Sequence, residues 1–125
     1  MIIGIGTDIV EISRIETTLK KAGDRFVDRI LTANEKQEYK KSEKVYFLSK
    51  RFASKEALSK ALGTGISGGV SFLDFEVSHN DFGAPLVRLS GVAKAIFDKK
   101  SGKDIFLSLS DEKKYSVAFA IMTDL

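Results

Sequence analysis

The chain's strongest constraint on its own fold is a helix that runs into glycine. Between Arg51 and Gly69 the sequence reads RFASKEALSKALGTGISGG. From Phe52 to Lys60 the helix formers Ala, Leu, Lys and Glu dominate without Pro or Gly, and Gly63 sits where a helix stop belongs. Phe52, Glu56 and Lys60 recur at i, i+4 and i+8. This spacing lines up an aromatic ring, a carboxylate and an ammonium on one side of the helix, with Lys55 and Ser59 alongside. The loop that follows holds four glycines in seven residues, Gly63 to Gly69, and can turn several backbone N–H groups toward an anion. It is not a Walker A loop, in which the glycines come first and a helix N-terminus faces the phosphate. Here the order is reversed, so the nearest helix end is the negative one. A cation must compensate, and Lys55, Lys60 or a metal held by Glu56 are the candidates. The plain alternative is a solvated Glu56–Lys60 pair on a surface helix.

A metal at Glu56 asks for a second carboxylate, and the first ten residues offer one. MIIGIGTDIV alternates as a buried strand rich in β-branched residues, yet carries Asp8 near its end. A buried carboxylate must be paired, hydrogen-bonded or metal-bound, because an isolated charge would neutralise instead. A structural Asp bonded to nearby backbone remains the alternative. Gly4 and Gly6 share its face, so something bulky approaches there.

Length and charge narrow the classes. With 125 residues, 43% of them hydrophobic, the chain amounts to one domain, 1–125, large enough for a real core. There is no Cys, which excludes disulfides and thiolate metal sites. The start lacks the basic region and uninterrupted apolar core of a signal peptide, and no apolar run reaches the roughly 18 residues of a membrane span, so a cytoplasmic protein is expected. Lys and Arg outnumber Asp and Glu 13 to 9 over residues 1–60, and seven bases between 40 and 60 face only Glu43 and Glu56. Such a region suits a nucleotide, a nucleic acid or an acidic protein, and charge alone does not choose among them.

The remaining pattern is mixed. Ser13 with Glu16, and Thr32 with Glu35, have capping-box spacing for two helices, with a short helical turn over 24–31 between them. Arg14, Arg25 and Arg29 fall on that stretch among apolar anchors. A longer helix runs from about Glu43 through Leu62. Val70–Ser78 and Ala84–Leu89 read as a strand pair around the turn His79–Gly83, and His79 reads as a surface residue. One more amphipathic helix covers Gly91–Lys100. Two β-rich runs, Asp104–Ser110 and Tyr115–Thr123, form a hairpin across Asp111–Lys114. The order predicts an α+β fold, a single compact domain with one antiparallel sheet packed with helices.

Three stretches together resemble the 4'-phosphopantetheinyl transferases: GIGTD from Gly4 to Asp8, RFASKEALSK from Arg51 to Lys60, and GTGIS from Gly63 to Ser67. Arg25–Thr32, Phe72–Glu76, Gly83–Pro85 and a late Ser-x-Ser extend the resemblance over nearly the whole chain. It implies Mg2+-dependent transfer of the phosphopantetheine arm of coenzyme A to a serine of an apo acyl carrier protein. It also implies roles. Asp8 and Glu56 match the metal-binding carboxylates, and Lys60 the lysine beside the same phosphate. Gly63, Thr64, Gly65 and Ile66 match the loop along the coenzyme, Lys44 and Arg51 the bases near the nucleotide's phosphates, and Pro85 a coenzyme contact. Arg14, Arg25 and Arg29 match the surface that docks the acidic carrier, so no nucleic acid is expected, and short members of the family form homotrimers. The base for the serine proton is left to a metal-bound water or Glu35. The family reads Ser-x-Ser-His where this chain has Ser108-Leu-Ser110-Asp111, and Asp111 is expected to turn outward and pair with Lys113 or Lys114. The competing class is a non-enzymatic basic module for an acidic protein or nucleic acid, which gives Asp8 and Glu56 no role.

Overall fold

The computed structural model describes residues 1–125. The chain runs β1 (Ile2–Glu11), α1 (Ile12–Ala22), α2 (Asp24–Ile30), α3 (Ala33–Tyr39), α4 (Lys44–Leu62), a 3-10 turn (Phe72–Asp74), β2 (Phe75–His79), β3 (Pro85–Leu89), α5 (Gly91–Lys99), β4 (Asp104–Asp111) and β5 (Tyr115–Thr123). This is the α+β domain expected, with two differences. The strand expected over Val70–Ser78 begins only at Phe75, because Ser71 Oγ accepts from Leu73 N–H and caps the 3-10 turn before it. The strands form two antiparallel sheets, β1-β5-β4 and β2-β3, rather than one. Each tight turn sets its own hairpin, whereas β1 pairs with β5 across almost the full chain, Asp8 opposite Ala118.

Helix α4 is the centre of the molecule. Leu48, Ala57, Leu58 and Leu62 are all buried, so α4 has no solvent face along most of its length. The large buried side chains around it include Ile30, Leu31, Phe75 and Met122, each contributing about 1.5–3 kcal/mol by leaving water. The bulky object facing Gly4 and Gly6 is α4 itself. A Cβ at Gly4 would stand 1.8 Å from the Ala61 carbonyl oxygen, and one at Gly6 would stand 2.0 Å from that of Ala57. No side chain fits at these two positions.

The helix starts show one correction. α1 begins at Ile12, and Ser13 Oγ donates to Glu11 Oε1 at 2.6 Å instead of capping the helix. The Ile12 N–H is taken by the Lys114 carbonyl at 2.8 Å, a partner from the β4–β5 turn that local spacing cannot announce. The Thr32–Glu35 capping box forms as expected, with Glu35 N–H donating to Thr32 Oγ1 and Thr32 N–H to Glu35 Oε1. No helix is long and apolar enough to cross a membrane.

Candidate functional site

The close approach of β1 and α4 brings three of the expected residues together. Asp8 lies on the same face of β1 as Gly4 and Gly6, so it meets α4 beside Ala57, at Glu56 and Lys60. Lys60 Nζ donates to Asp8 Oδ1 at 3.1 Å and to the Thr7 carbonyl at 3.0 Å. Glu56 makes no hydrogen bond or ion pair with any side chain. Burial, and then the charge of Asp8, hold its carboxyl above the usual range against the pull of Lys60 and Arg29. Two carboxylates therefore share one ammonium and remain under-neutralised. No third His, Cys, Asp or Glu joins this pair in a group that could hold a metal ion.

The glycine loop is arranged differently from expectation. Gly63 takes the left-handed conformation that ends α4, at φ +91°, and donates to the Lys60 carbonyl. The N–H groups of Thr64 and Gly65 turn back to the Ser59 carbonyl, at 3.2 and 3.1 Å, so the loop's first three donors cap the helix rather than face an anion. Ile66 packs on the core. The compensating cation at the helix end is Lys100, whose Nζ donates to the Leu62 carbonyl at 2.6 Å.

Lys55 belongs to the interior, not to the phosphate side. Its ammonium is fully buried and bonds the Ile30 carbonyl at the end of α2 and Glu35 Oε1 at 2.5 Å. Glu35 is equally buried. Its carboxylate accepts from Lys55, Thr32 N–H and, at 2.9 Å, Val77 N–H, and stands 3.6 Å from Arg51 Nε. A carboxylate so satisfied is a structural tie between α3, α4 and β2, so the structure withdraws it as a candidate base. The signal was present in the sequence: Leu48, Arg51, Lys55, Leu58 and Leu62 fall on alternating steps of three and four, and Arg51 and Lys55 therefore occupy core positions of α4.

Arg51 is buried at that network's edge. Its Nη2 donates to Glu38 Oε2 at 3.2 Å and its guanidinium lies 4.4 Å from the Phe47 ring centroid. It also lines a cavity of about 580 Å³ together with Lys50, His79, Gly83, Pro85 and Asp111. Arg51 and Pro85 are thus brought together, whereas Lys44 lies outside this wall with its ammonium 5.2 Å from the Tyr39 ring. Asp111 forms no ion pair with Lys113 or Lys114. It lines the cavity, contrary to the outward orientation expected, because the β4 register sets it on the face of Leu107 and Leu109, which line the same cavity. Arg14, Arg25 and Arg29 are all exposed. Arg29 lies 5.6 Å from the Phe72 ring and its charge reaches Glu56, so the basic helical surface abuts the carboxylate pair.

Two carboxylates around one ammonium at the end of a glycine-capped helix, beside an exposed basic surface, define a site able to seat a cation next to an acidic partner. The chain matches the family model of the 4'-phosphopantetheinyl transferase superfamily over residues 4–120, and it belongs to that family. Among its relatives, the holo-[acyl-carrier-protein] synthase of Aliivibrio salmonicida is 50% identical over 121 residues, 96% of each chain. The crystal structure of holo-[acyl-carrier-protein] synthase from Neisseria meningitidis superposes with a TM-score of 0.93 at 40% identity, covering 98% of this chain and 99% of that one. The Bacillus anthracis holo-(acyl-carrier-protein) synthase in complex with CoA (3',5'-ADP) gives a TM-score of 0.82 at 42% identity, covering 98% and 96%.

Proposed function

We infer that this protein is a holo-acyl-carrier-protein synthase: it moves the 4'-phosphopantetheine arm of coenzyme A onto a serine of an apo acyl carrier protein, releases adenosine 3',5'-bisphosphate, and so supports fatty acid biosynthesis. The observation that carries this reading is the meeting of Asp8, Glu56 and Lys60 in a chain of this family. Glu56, short of partners and raised by burial and by Asp8, is the group a divalent cation would relieve. Two hard oxygen ligands suit Mg2+, which keeps water and substrate oxygens for its other positions. Asp8 and Glu56 would hold it, and when bound it neutralises charge growing on the leaving phosphate.

The chain's own residues bind and orient. Lys60 Nζ, fixed by Asp8 and the Thr7 carbonyl, keeps a third donor for a phosphate oxygen. Gly63, Thr64, Gly65 and Ile66 continue from Lys60 and support the pantetheine arm, while Lys44, Arg51 and Pro85 take the nucleotide end. The nucleophile is the carrier's serine, so this chain needs none of its own. Arg14, Arg25 and Arg29 offer the acidic carrier a docking surface that ends at Glu56.

The site is completed by assembly. Ile5, Ile9, Phe106 and Phe119 share the outer face of the β1-β5-β4 sheet, and Ile5, Ile9 and Phe106 are each more than half exposed. An apolar sheet face of this kind marks an interface. Ile5 and Phe119 flank Thr7 and Lys60, so a second copy seated there comes up beside the carboxylate pair. A homotrimer closes three such interfaces and yields three equivalent sites. A non-enzymatic basic module leaves Asp8 and Glu56 unexplained, and nothing favours it. The test is incubation with coenzyme A, Mg2+ and an apo carrier protein, with the carrier's mass read afterward. A gain of one phosphopantetheine is expected. An unchanged mass, in a carrier that another transferase modifies, overturns the assignment.

A further inference from the structure

The cavity beside Arg51 contains the chain's only histidine. His79 ends β2, is exposed on the cavity wall, and shares it with Lys50 and Arg51 from α4. Arg51 has donors to spare. Its single hydrogen bond runs from Nη2 to Glu38, which leaves Nη1 without one, while Nε faces the buried Glu35 carboxylate at 3.6 Å. Glu38 from α3, Glu43 before α4 and Asp111 from β4 stand on the same wall. With a neutral imidazole, two cations therefore face three carboxylates, a poor seat for a dianion, whereas a protonated His79 makes the count equal. In the free protein burial, followed by the Arg51 charge, holds the His79 imidazole below its ordinary range, with Lys50 acting the same way and Glu38 opposing. A phosphate dianion inside the cavity adds the opposite influence, because a nearby negative charge favours the imidazolium.

We propose that His79 reads the nucleotide, taking up a proton as a phosphate monoester enters the cavity, so that recognition of the 3'-phosphate of coenzyme A is coupled to pH through this one imidazole. The inference rests on the nucleotide end of coenzyme A occupying the cavity, as proposed above. It adds a residue that reads the coenzyme, and a sign: affinity rises as pH falls through the imidazole's bound-state range, until the phosphate itself protonates at about pH 6.

Calorimetry on the intact protein tests it with adenosine 3',5'-bisphosphate and with 5'-AMP, each titrated at about pH 7.5, where the phosphates are dianionic, in two buffers of different ionisation enthalpy. The expected result is proton uptake with the bisphosphate and less with 5'-AMP. His79→Gln, at the exposed end of β2 and away from the core, should abolish the extra uptake. It should weaken the bisphosphate by about tenfold, the scale of one lost charged contact, while leaving 5'-AMP nearly unchanged. Binding of the bisphosphate without proton uptake, or a His79→Gln protein that behaves as wild type toward both ligands, overturns the role of His79 and leaves the transferase assignment standing. Absence of binding by either nucleotide overturns the placement of the nucleotide itself, and this inference with it.

Discussion

Lys55 Nζ and Glu35 Oε1 stand 2.5 Å apart with both side chains closed off from solvent, and the residue next to Lys55 is the half-buried Glu56. Adjacent residues on α4 thus have opposite tasks. Lys55 fixes the end of α2 through the Ile30 carbonyl, and Glu56 turns outward to Asp8.

That buried pair gives a double-mutant prediction. Lys55→Met leaves the Glu35 carboxylate partly uncompensated and Glu35→Gln leaves Lys55 so, and each should cost about 3–5 kcal/mol in urea unfolding. The double variant should recover a substantial part of either loss. Strictly additive losses would mean that the two charges do not depend on each other.

Glu56→Gln should separate stability from activity. Because the folded-state pKa of Glu56 is raised, its ionised form opposes the fold at neutral pH, and this penalty fades as pH falls through the folded pKa toward the ordinary glutamate value. Without metal, the Gln variant should melt higher than wild type at about pH 7, and the gap should close toward about pH 4. Transfer should be lost, and Mg2+ should raise the wild-type Tm but not the variant's. Asp8→Ala should likewise abolish transfer in a folded protein. Near-normal turnover by both variants would remove the carboxylate pair from the mechanism.

Gly6→Ala should be among the most damaging single changes outside the site. Its methyl would enter a space 2.0 Å from a helix carbonyl, and relief requires β1 and α4 to part. A loss of about 3 kcal/mol or more is expected in chemical denaturation. A loss under about 1 kcal/mol would show that strand and helix separate easily.

Reversing Arg14 and Arg25 to Glu should raise the carrier protein's KM and flatten its salt dependence, with the KM for coenzyme A nearly unchanged. Both side chains are exposed, so circular dichroism and Tm should stay at wild-type values. An unaltered carrier KM would place the docking surface elsewhere.

What could be read from the sequence was what local chemistry dictates. The stop of α4 at Gly63, the Thr32–Glu35 box, the hairpin turns and the juxtaposition of Asp8 with Glu56 and Lys60 all follow from short spacings, or from the family motifs that contain them. Partners supplied from far along the chain left no such trace. Nothing near Gly63 announces Lys100, nothing near Ile12 announces the Lys114 carbonyl, and the ladder between β1 and β5 is written in neither strand. Glu35 and Lys55 were misplaced for a related reason. Charged residues default to the surface in a sequence reading; the stripe Lys55 shares with Leu48, Leu58 and Leu62 on α4 marks it as interior, whereas Glu35, on α3, carries no such mark.

The pairing of β1 with β5 also sets an order of events during synthesis. The inner face of β1 is shaped to receive α4, but its neighbour in the sheet is β5, which is made after every other element of this fold, with Glu11 opposite Tyr115 and Ile2 opposite Thr123. Until that strand arrives, β1 presents an unpaired, isoleucine-rich edge while the central helix lacks the cover of Ala118, Ala120 and Met122. Closure of so distant a pair is slow compared with local helix formation. The nascent chain therefore passes through an interval with an adhesive edge, in which a holding chaperone or slow translation of the preceding hairpin would decide how much of it reaches the native state.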